Sequence, residues 1–162
     1  MRRYVRRGET AIGAFILLVA TAAPRLQAQR TKAARATTPA RVAVVGADYA
    51  FTQLPTALSP GPTLFSFENR GTKRHEMSIT LLKAGVTIDV LTRAENRLAL
   101  AGRAVSDSIV GLLIARPGER AGGQLYVDLI PGRTYAVVCT LKDTPEAQPH
   151  LELGMVGSFR VR

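Results

Sequence analysis

One cysteine in 162 residues rules out an internal disulfide. Cys139 is therefore a buried spectator, half of an intermolecular bridge, or a reactive or metal-binding thiol. Histidine is almost as scarce, with His75 and His150 the whole supply, and tryptophan is absent. Any chemistry that needs imidazole must use those two rings. The apolar run Ala11 to Ala23 is too short to be a comfortable bilayer span. Acidic residues are outnumbered, 12 against 22 Lys and Arg. Nine of those cations, but only Glu9 among the acids, fall within the first 41 residues, which leaves 13 against 11 and a net of +2 for the rest. A near-neutral remainder without a basic, aromatic-studded patch argues against nucleic-acid binding.

What the N-terminus does contain is ordered like a secretory signal. Arg2, Arg3, Arg6 and Arg7 precede the apolar run, and Leu26-Gln27-Ala28 ends on a small residue suited to cleavage after Ala28. An uncleaved N-terminal anchor is the other reading of the same segment. Residues 29–41, rich in Ala, Thr, Arg and Lys and without apolar periodicity, read as a flexible leader. The expected organisation is a signal at 1–28, a leader at 29–41 and one folded domain at 42–162. The protein would be exported, periplasmic or extracellular, with no permanent membrane span after signal cleavage.

From Arg41 the texture changes to short apolar-alternating segments split by Pro and Gly, the rhythm of an all-β sandwich. Strands are expected at Arg41 to Val45, Tyr49 to Phe51, Thr63 to Asn69, Arg74 to Leu82, Gln124 to Ile130, Thr134 to Cys139 and Val156 to Val161. Turn signals at Ser59 to Pro62, Asn69-Arg70-Gly71 and Pro131-Gly132 separate them. One stretch breaks the rhythm: Leu91, Ala94, Leu98 and Ala101 recur at helical spacing, with Thr87 as N-cap and Gly102 where a C-terminal cap would sit. That predicts one inserted helix. The next segment, Val105 to Ala115, fits either helix or strand.

Strand phase says where the scarce residues point. In His75-Glu76-Met77-Ser78-Ile79-Thr80-Leu81 the odd positions are His, Met, Ile and Leu, so His75 shares the core-facing side. Tyr135, Val137 and Cys139 likewise share one face, with Cys139 at the strand's end. His150 lies in the following loop, just before Gly154-Met155. Taken singly, His75 reads as a neutral core histidine, His150 as a solvated loop residue and Met155 as core. Taken together, one thiolate, two imidazoles and a thioether match a copper site in which two His and one Cys form a trigonal plane and Met sits at a long axial distance. Zinc seldom uses a thioether, and calcium or magnesium would want an oxygen cluster that is not evident here. If the residues converge on one ion, their donor atoms should stand roughly 3 to 4 Å apart, given metal bonds near 2.0 to 2.3 Å.

The chain at this point resembles the cupredoxins, the plastocyanin and azurin-like blue copper proteins, over roughly residues 42–162. One part of the likeness is Phe67-Glu68-Asn69-Arg70-Gly71-Thr72-Lys73-Arg74-His75, similar to that family's strand, turn and first histidine. The other is Gly132 to Cys139, then His150 with four residues to Met155, then Gly157 and an ending strand. The resemblance implies His75, Cys139, His150 and Met155 as ligands of one type 1 copper ion and a Greek-key β-sandwich with one inserted helix. It also implies redox partner proteins and a monomeric electron carrier. Two departures stand out: the helix-bearing insertion after His75, and the ten residues Thr140 to Pro149 between Cys139 and His150, longer than the family's usual loop.

The competing reading keeps the sandwich but makes it a binding module without redox function, copper-free or engaged in copper delivery. An enzyme is not expected. No nucleophile elbow or zinc-hydrolase pattern occurs, and Asp128, Asp143 and Glu146 form no acid/base pair.

Overall fold

The computed structural model describes residues 38–93 and 105–162. Its elements in chain order are β1 (Ala40–Ala47), β2 (Ala50–Phe51), β3 (Ala57–Leu58), β4 (Gly61–Asn69), β5 (His75–Leu82), α1 (Ile88–Arg93), β6 (Ser106–Ala115), β7 (Leu125–Leu129), β8 (Thr134–Val138) and β9 (Val156–Val161). Two mixed sheets form, one ordered β2-β1-β4-β7 and the other β3-β9-β8-β5-β6. The period-two pattern explains how they pack. Along β4, Thr63, Phe65, Phe67 and Asn69 are buried while the residues between them are partly open. Val42 and Val44 of β1 share that dry face and meet Met77, Ile79, Tyr135, Val137, Phe159 and Val161 of the other sheet. Phe159 anchors this core, stacked on Tyr135 at 5.2 Å and on Phe65 at 5.7 Å between ring centres. Each such buried aromatic contributes on the order of 2 to 3 kcal/mol.

Each strand expected from the sequence is present to within a residue or two. The ambiguous segment after the insertion is strand: β6 pairs antiparallel with β5 over Ser106 to Ala115, with irregularities between Ile79 and Thr80 and between Leu81 and Leu82. Its apolar residues gave no clear period because β6 is an edge strand that leaves Ile109 and Leu112 exposed. The two-residue β3, parallel to β9, was too short to carry any pattern. A helix is present over Ile88–Arg93, where the Val90 amide donates to Thr87 O. Ala94 to Gly102, including the expected cap, lie outside the described residues.

One outcome differs from the alternation. All of β5 is buried, Glu76, Ser78 and Thr80 included. Its outer face lies beside a second small apolar cluster of Leu82, Val105, Ala136, Val138 and Leu151, against which Val86, Ile88 and Val156 pack. Among the described residues no helix is long and apolar enough to cross a membrane.

Candidate metal centre

Antiparallel pairing puts the start of β5 beside the end of β8, with Ser78 opposite Val138, so His75 and Cys139 emerge at the same end of the sandwich. The turn before His75 is fixed by buried Asn69, whose side-chain amide donates to Lys73 O at 2.7 Å and Ala115 O at 3.1 Å while its carbonyl accepts from the Gly71 amide. Beyond Cys139 the chain leaves for ten residues and returns. Backbone bonds close the excursion at its base, His150 N–H to Leu141 O at 2.8 Å and Leu151 N–H to Cys139 O at 2.7 Å. A tight turn then carries the chain back, with Met155 N–H on His150 O at 2.9 Å and Cys139 N–H on Met155 O at 3.2 Å. Gly154 permits that turn with φ of +114°. The long loop therefore does not separate Cys139 from His150, since its two ends are hydrogen-bonded to each other.

Three donor atoms meet here. His75 Nδ1 stands 3.0 Å from His150 Nδ1, and Cys139 Sγ is 3.4 Å from His150 Nδ1 and 4.0 Å from His75 Nδ1. The side chains are all buried, so water does not compete for them. Met155 is fully buried in the same core. A Cβ added to Gly46 would come within 3.0 Å of its methyl carbon and of the Phe67 ring, which shows how closely this end is packed.

The far edges of both rings are held by carboxylates. His75 Nε2 is 3.1 Å from Asp48 Oδ1, and His150 Nε2 is 3.2 Å from Asp143 Oδ1. The Thr72 hydroxyl is the main cause that holds the Asp48 carboxyl down at about 2, and the Tyr49 hydroxyl, at 2.7 Å, likewise lowers that of Asp143. Both are ionised at neutral pH and can only accept, so each Nε2 must carry the hydrogen. The Nδ1 atoms then present lone pairs to each other and to the Cys139 sulfur. Burial lowers the His75 pKa, so the environment itself disfavours relief by simple protonation of that ring. A shared proton would satisfy two of the three donors. A metal ion would satisfy all three.

Cys139 carries the matching second contact. Burial pushes its thiol up to about 11, so without a cation it stays protonated. The Glu76 amide donates to the sulfur at 3.3 Å, a bond suited to stabilising a thiolate. The Glu76 side chain accepts from the Thr140 amide at 2.7 Å and its hydroxyl at 2.6 Å, locking the strand after His75 to the residue after Cys139.

Asp48, Tyr49, Gly71 and Glu76 were not legible as site residues, and Asp143 was legible only as part of an exposed polar loop. Tyr49 sits edge-on to His150 at 5.0 Å and to His75 at 6.2 Å between ring centres. It is the only non-glycine with positive φ among the described residues, at 61°. Strain of this kind costs about 1 to 3 kcal/mol and persists where surrounding contacts enforce it. Here its hydroxyl on Asp143 is such a contact.

No protein-family model matches the sequence, and no curated protein does. Solved structures do. Dithionite-reduced auracyanin from the photosynthetic bacterium Roseiflexus castenholzii superposes with a TM-score of 0.50 at 16% identity, covering 78% of this chain and 99% of its own. The chain has the cupredoxin fold. Auracyanin B, at a TM-score of 0.49 and 23% identity, covers 78% of this chain and 91% of its own, and reduced rusticyanin, at 0.44 and 21%, covers 75% and 77%. At 16% identity the first of these likenesses shows the fold alone; the metal chemistry rests on the donors themselves. A buried thiol, two imidazole lone pairs and a nearby methionine fit copper better than zinc, calcium or magnesium.

Proposed function

We propose that this is an exported cupredoxin-like electron carrier that holds one type 1 copper ion through His75, Cys139, His150 and Met155. The observation that carries the reading is the convergence of the two Nδ1 atoms and Sγ within 3.0 to 4.0 Å, all buried, with both Nε2 edges already occupied by acceptors. Copper in such a site supplies one-electron transfer by passing between Cu(I) and Cu(II).

The chain's own residues make that exchange inexpensive. His75 and Cys139 are fixed by neighbouring strands, and His150 and Met155 by one hydrogen-bonded turn, so the donors are held in place whatever the ion's charge. Burial keeps water from adding as a further ligand. The donor set leaves no evident open position for a substrate, which favours a carrier over an enzyme. The same burial counts against the copper-delivery module, because a site that hands its ion on needs donors a partner can reach, and His75, Cys139 and His150 are at most 1% exposed. Export rests on the N-terminal pattern of a signal over residues 1–28 followed by a leader; the working domain, expected at 42–162, starts with β1 at Ala40. The partners are then redox proteins of the periplasm or the cell exterior, met by a monomer.

The visible spectrum of the purified domain after copper addition tests the reading. An intense blue band that vanishes in Cys139→Ser is expected, because the band arises from thiolate-to-copper charge transfer. Equal copper binding with and without Cys139 would mean adventitious imidazole binding and would overturn it.

A further inference from the structure

The geometry points to Asp48 and Asp143 as a pair of positioning carboxylates that set the tautomer of both histidines and bias the centre toward the more highly charged state of its metal. The inference deepens the copper reading above and rests on it for its electrochemical part. Each ring has one edge toward the sulfur and one toward a carboxylate, at 3.1 Å for His75 and 3.2 Å for His150. An imidazole that donates from Nε2 has its lone pair on Nδ1, the only nitrogen facing the shared centre.

Neither carboxylate is there by accident of a mobile side chain. Asp48, in the turn between β1 and β2, accepts from the Thr72 amide at 2.8 Å, the Thr72 hydroxyl at 2.7 Å and the Lys73 amide at 3.2 Å, besides His75. Those donors belong to the turn that leads into His75, so Asp48 ties β1 to the entry of β5. Gly71 leaves the room for this: a Cβ there would overlap Asp48 Oδ1 and stand 2.9 Å from His75 Nε2. Asp143, in the long loop, is held by the Tyr49 hydroxyl at 2.7 Å and by Lys73 Nζ at 3.7 Å. Because Tyr49 adjoins Asp48 in sequence, one turn anchors both carboxylates.

Two negative charges, each one imidazole away from the metal position, stabilise a divalent ion more than a monovalent one, by Coulomb's law in a partly buried setting. Removing a carboxylate that supports a ligating histidine typically costs about 10- to 100-fold in metal affinity. Here the loss should fall mainly on Cu(II).

The test uses the full domain with Asp48→Asn, Asp143→Asn and the double variant. In the metal-free wild type, nitrogen NMR of the imidazoles should show hydrogen on Nε2 of both rings, and each Asn variant should shift the tautomer balance of its own histidine only. In copper titrations each variant should lose about 10- to 100-fold in Cu(II) affinity, lose less for Cu(I), and show a raised reduction potential; the double variant should lose more. Equal losses for the two oxidation states with an unchanged potential would reduce the aspartates to structural supports and overturn the proposal, as would Nδ1-H tautomers in the wild type. If the wild type fails to turn blue, the copper reading fails, while the tautomer measurement on the metal-free protein still decides the role of the aspartates.

Discussion

His75 and His150, 75 residues apart in the chain, face each other through their Nδ1 atoms across 3.0 Å inside the protein. With both rings donating from Nε2, their Nδ1 lone pairs face each other, and the protonated Cys139 thiol, 3.4 Å from His150 Nδ1, can donate to only one of them. The fold thus gathers electron-pair donors that a single hydrogen does not satisfy and that a cation would. Such local frustration is what a binding site looks like when the remainder of the sequence agrees with the fold.

Metal binding should therefore release protons. With the Cys139 thiol raised to about 11 by burial, the metal-free site is protonated at neutral pH, and a thiolate ligand must lose that hydrogen. Calorimetric titration with copper in buffers of different ionisation enthalpy should show about one proton released per ion at pH 7 or more, and close to one fewer in Cys139→Ser. Release that is independent of residue 139 would remove the thiolate from the site.

The same burial should make the free thiol inert. Alkylation of the metal-free folded domain near pH 8 should run on the order of 100-fold slower than that of an exposed cysteine, since both thiolate fraction and access are reduced. The rate should rise to the ordinary value once the domain is unfolded by denaturant. Reaction in the folded state at the exposed rate would contradict the packing around Cys139.

Acid should weaken the domain through Asp48. Its folded pKa of about 2 lies below the ordinary 3.8, so its contribution to stability is complete above the unfolded value and is lost as pH falls through that window. Denaturant melts of wild type and Asp48→Asn should differ at about pH 6 and converge as pH drops from about 4 towards 2. A gap that stays constant to low pH would mean that the carboxylate's charge plays no part.

Much of this centre was written in local patterns. Period-two alternation showed that His75 points inward, and the ends of two strands put Cys139 and His75 within reach of one another. The four residues between His150 and Met155 carried a family resemblance, and the structure closes them as a turn by Met155 N–H on His150 O. What could not be read were the partners that depend on long-range register. Asp48 lies 27 residues before His75 and carried no local pattern that marked it, and Asp143 stood out only as an acid without a catalytic partner. β6 was equally opaque, because an edge strand with exposed Ile109 and Leu112 has neither period cleanly.

On the proposed ligand set, Met155→Leu should keep the blue colour while raising the reduction potential, because loss of a weakly bound thioether would disfavour Cu(II). The two side chains are close in volume, so stability should change by less than about 1.5 kcal/mol. Gly46→Ala at the same wall should cost about 1 to 3 kcal/mol, as its Cβ would press on the Met155 methyl and the Phe67 ring. Potentiometry and thermal melts on the two variants separate electronic from packing effects. A colourless Met155→Leu protein with an intact fold would show the thioether to be more than a weak axial donor.

The long loop offers the last separation. Lys142 to Glu146 are exposed, and Ala147 closes only a local turn by donating to Thr144 O at 3.1 Å. The parts that touch the centre are its ends and Asp143, which accepts from His150 and Tyr49. Replacing Pro145 to Ala147 by a shorter flexible link should leave copper affinity within a few-fold, since trimming a loop changes closure entropy by only about 0.6 kcal/mol per halving. Extending the deletion to remove Asp143 should cost about 10- to 100-fold. If the outer deletion alone abolished copper binding, the exposed residues would themselves be holding His150 in place. If it abolished capture of a redox partner and spared copper, the loop tip would be the docking surface. Copper affinity and partner binding measured on the same pair of variants therefore distinguish spacer, clamp and contact surface; the backbone bonds at the loop's base favour the spacer.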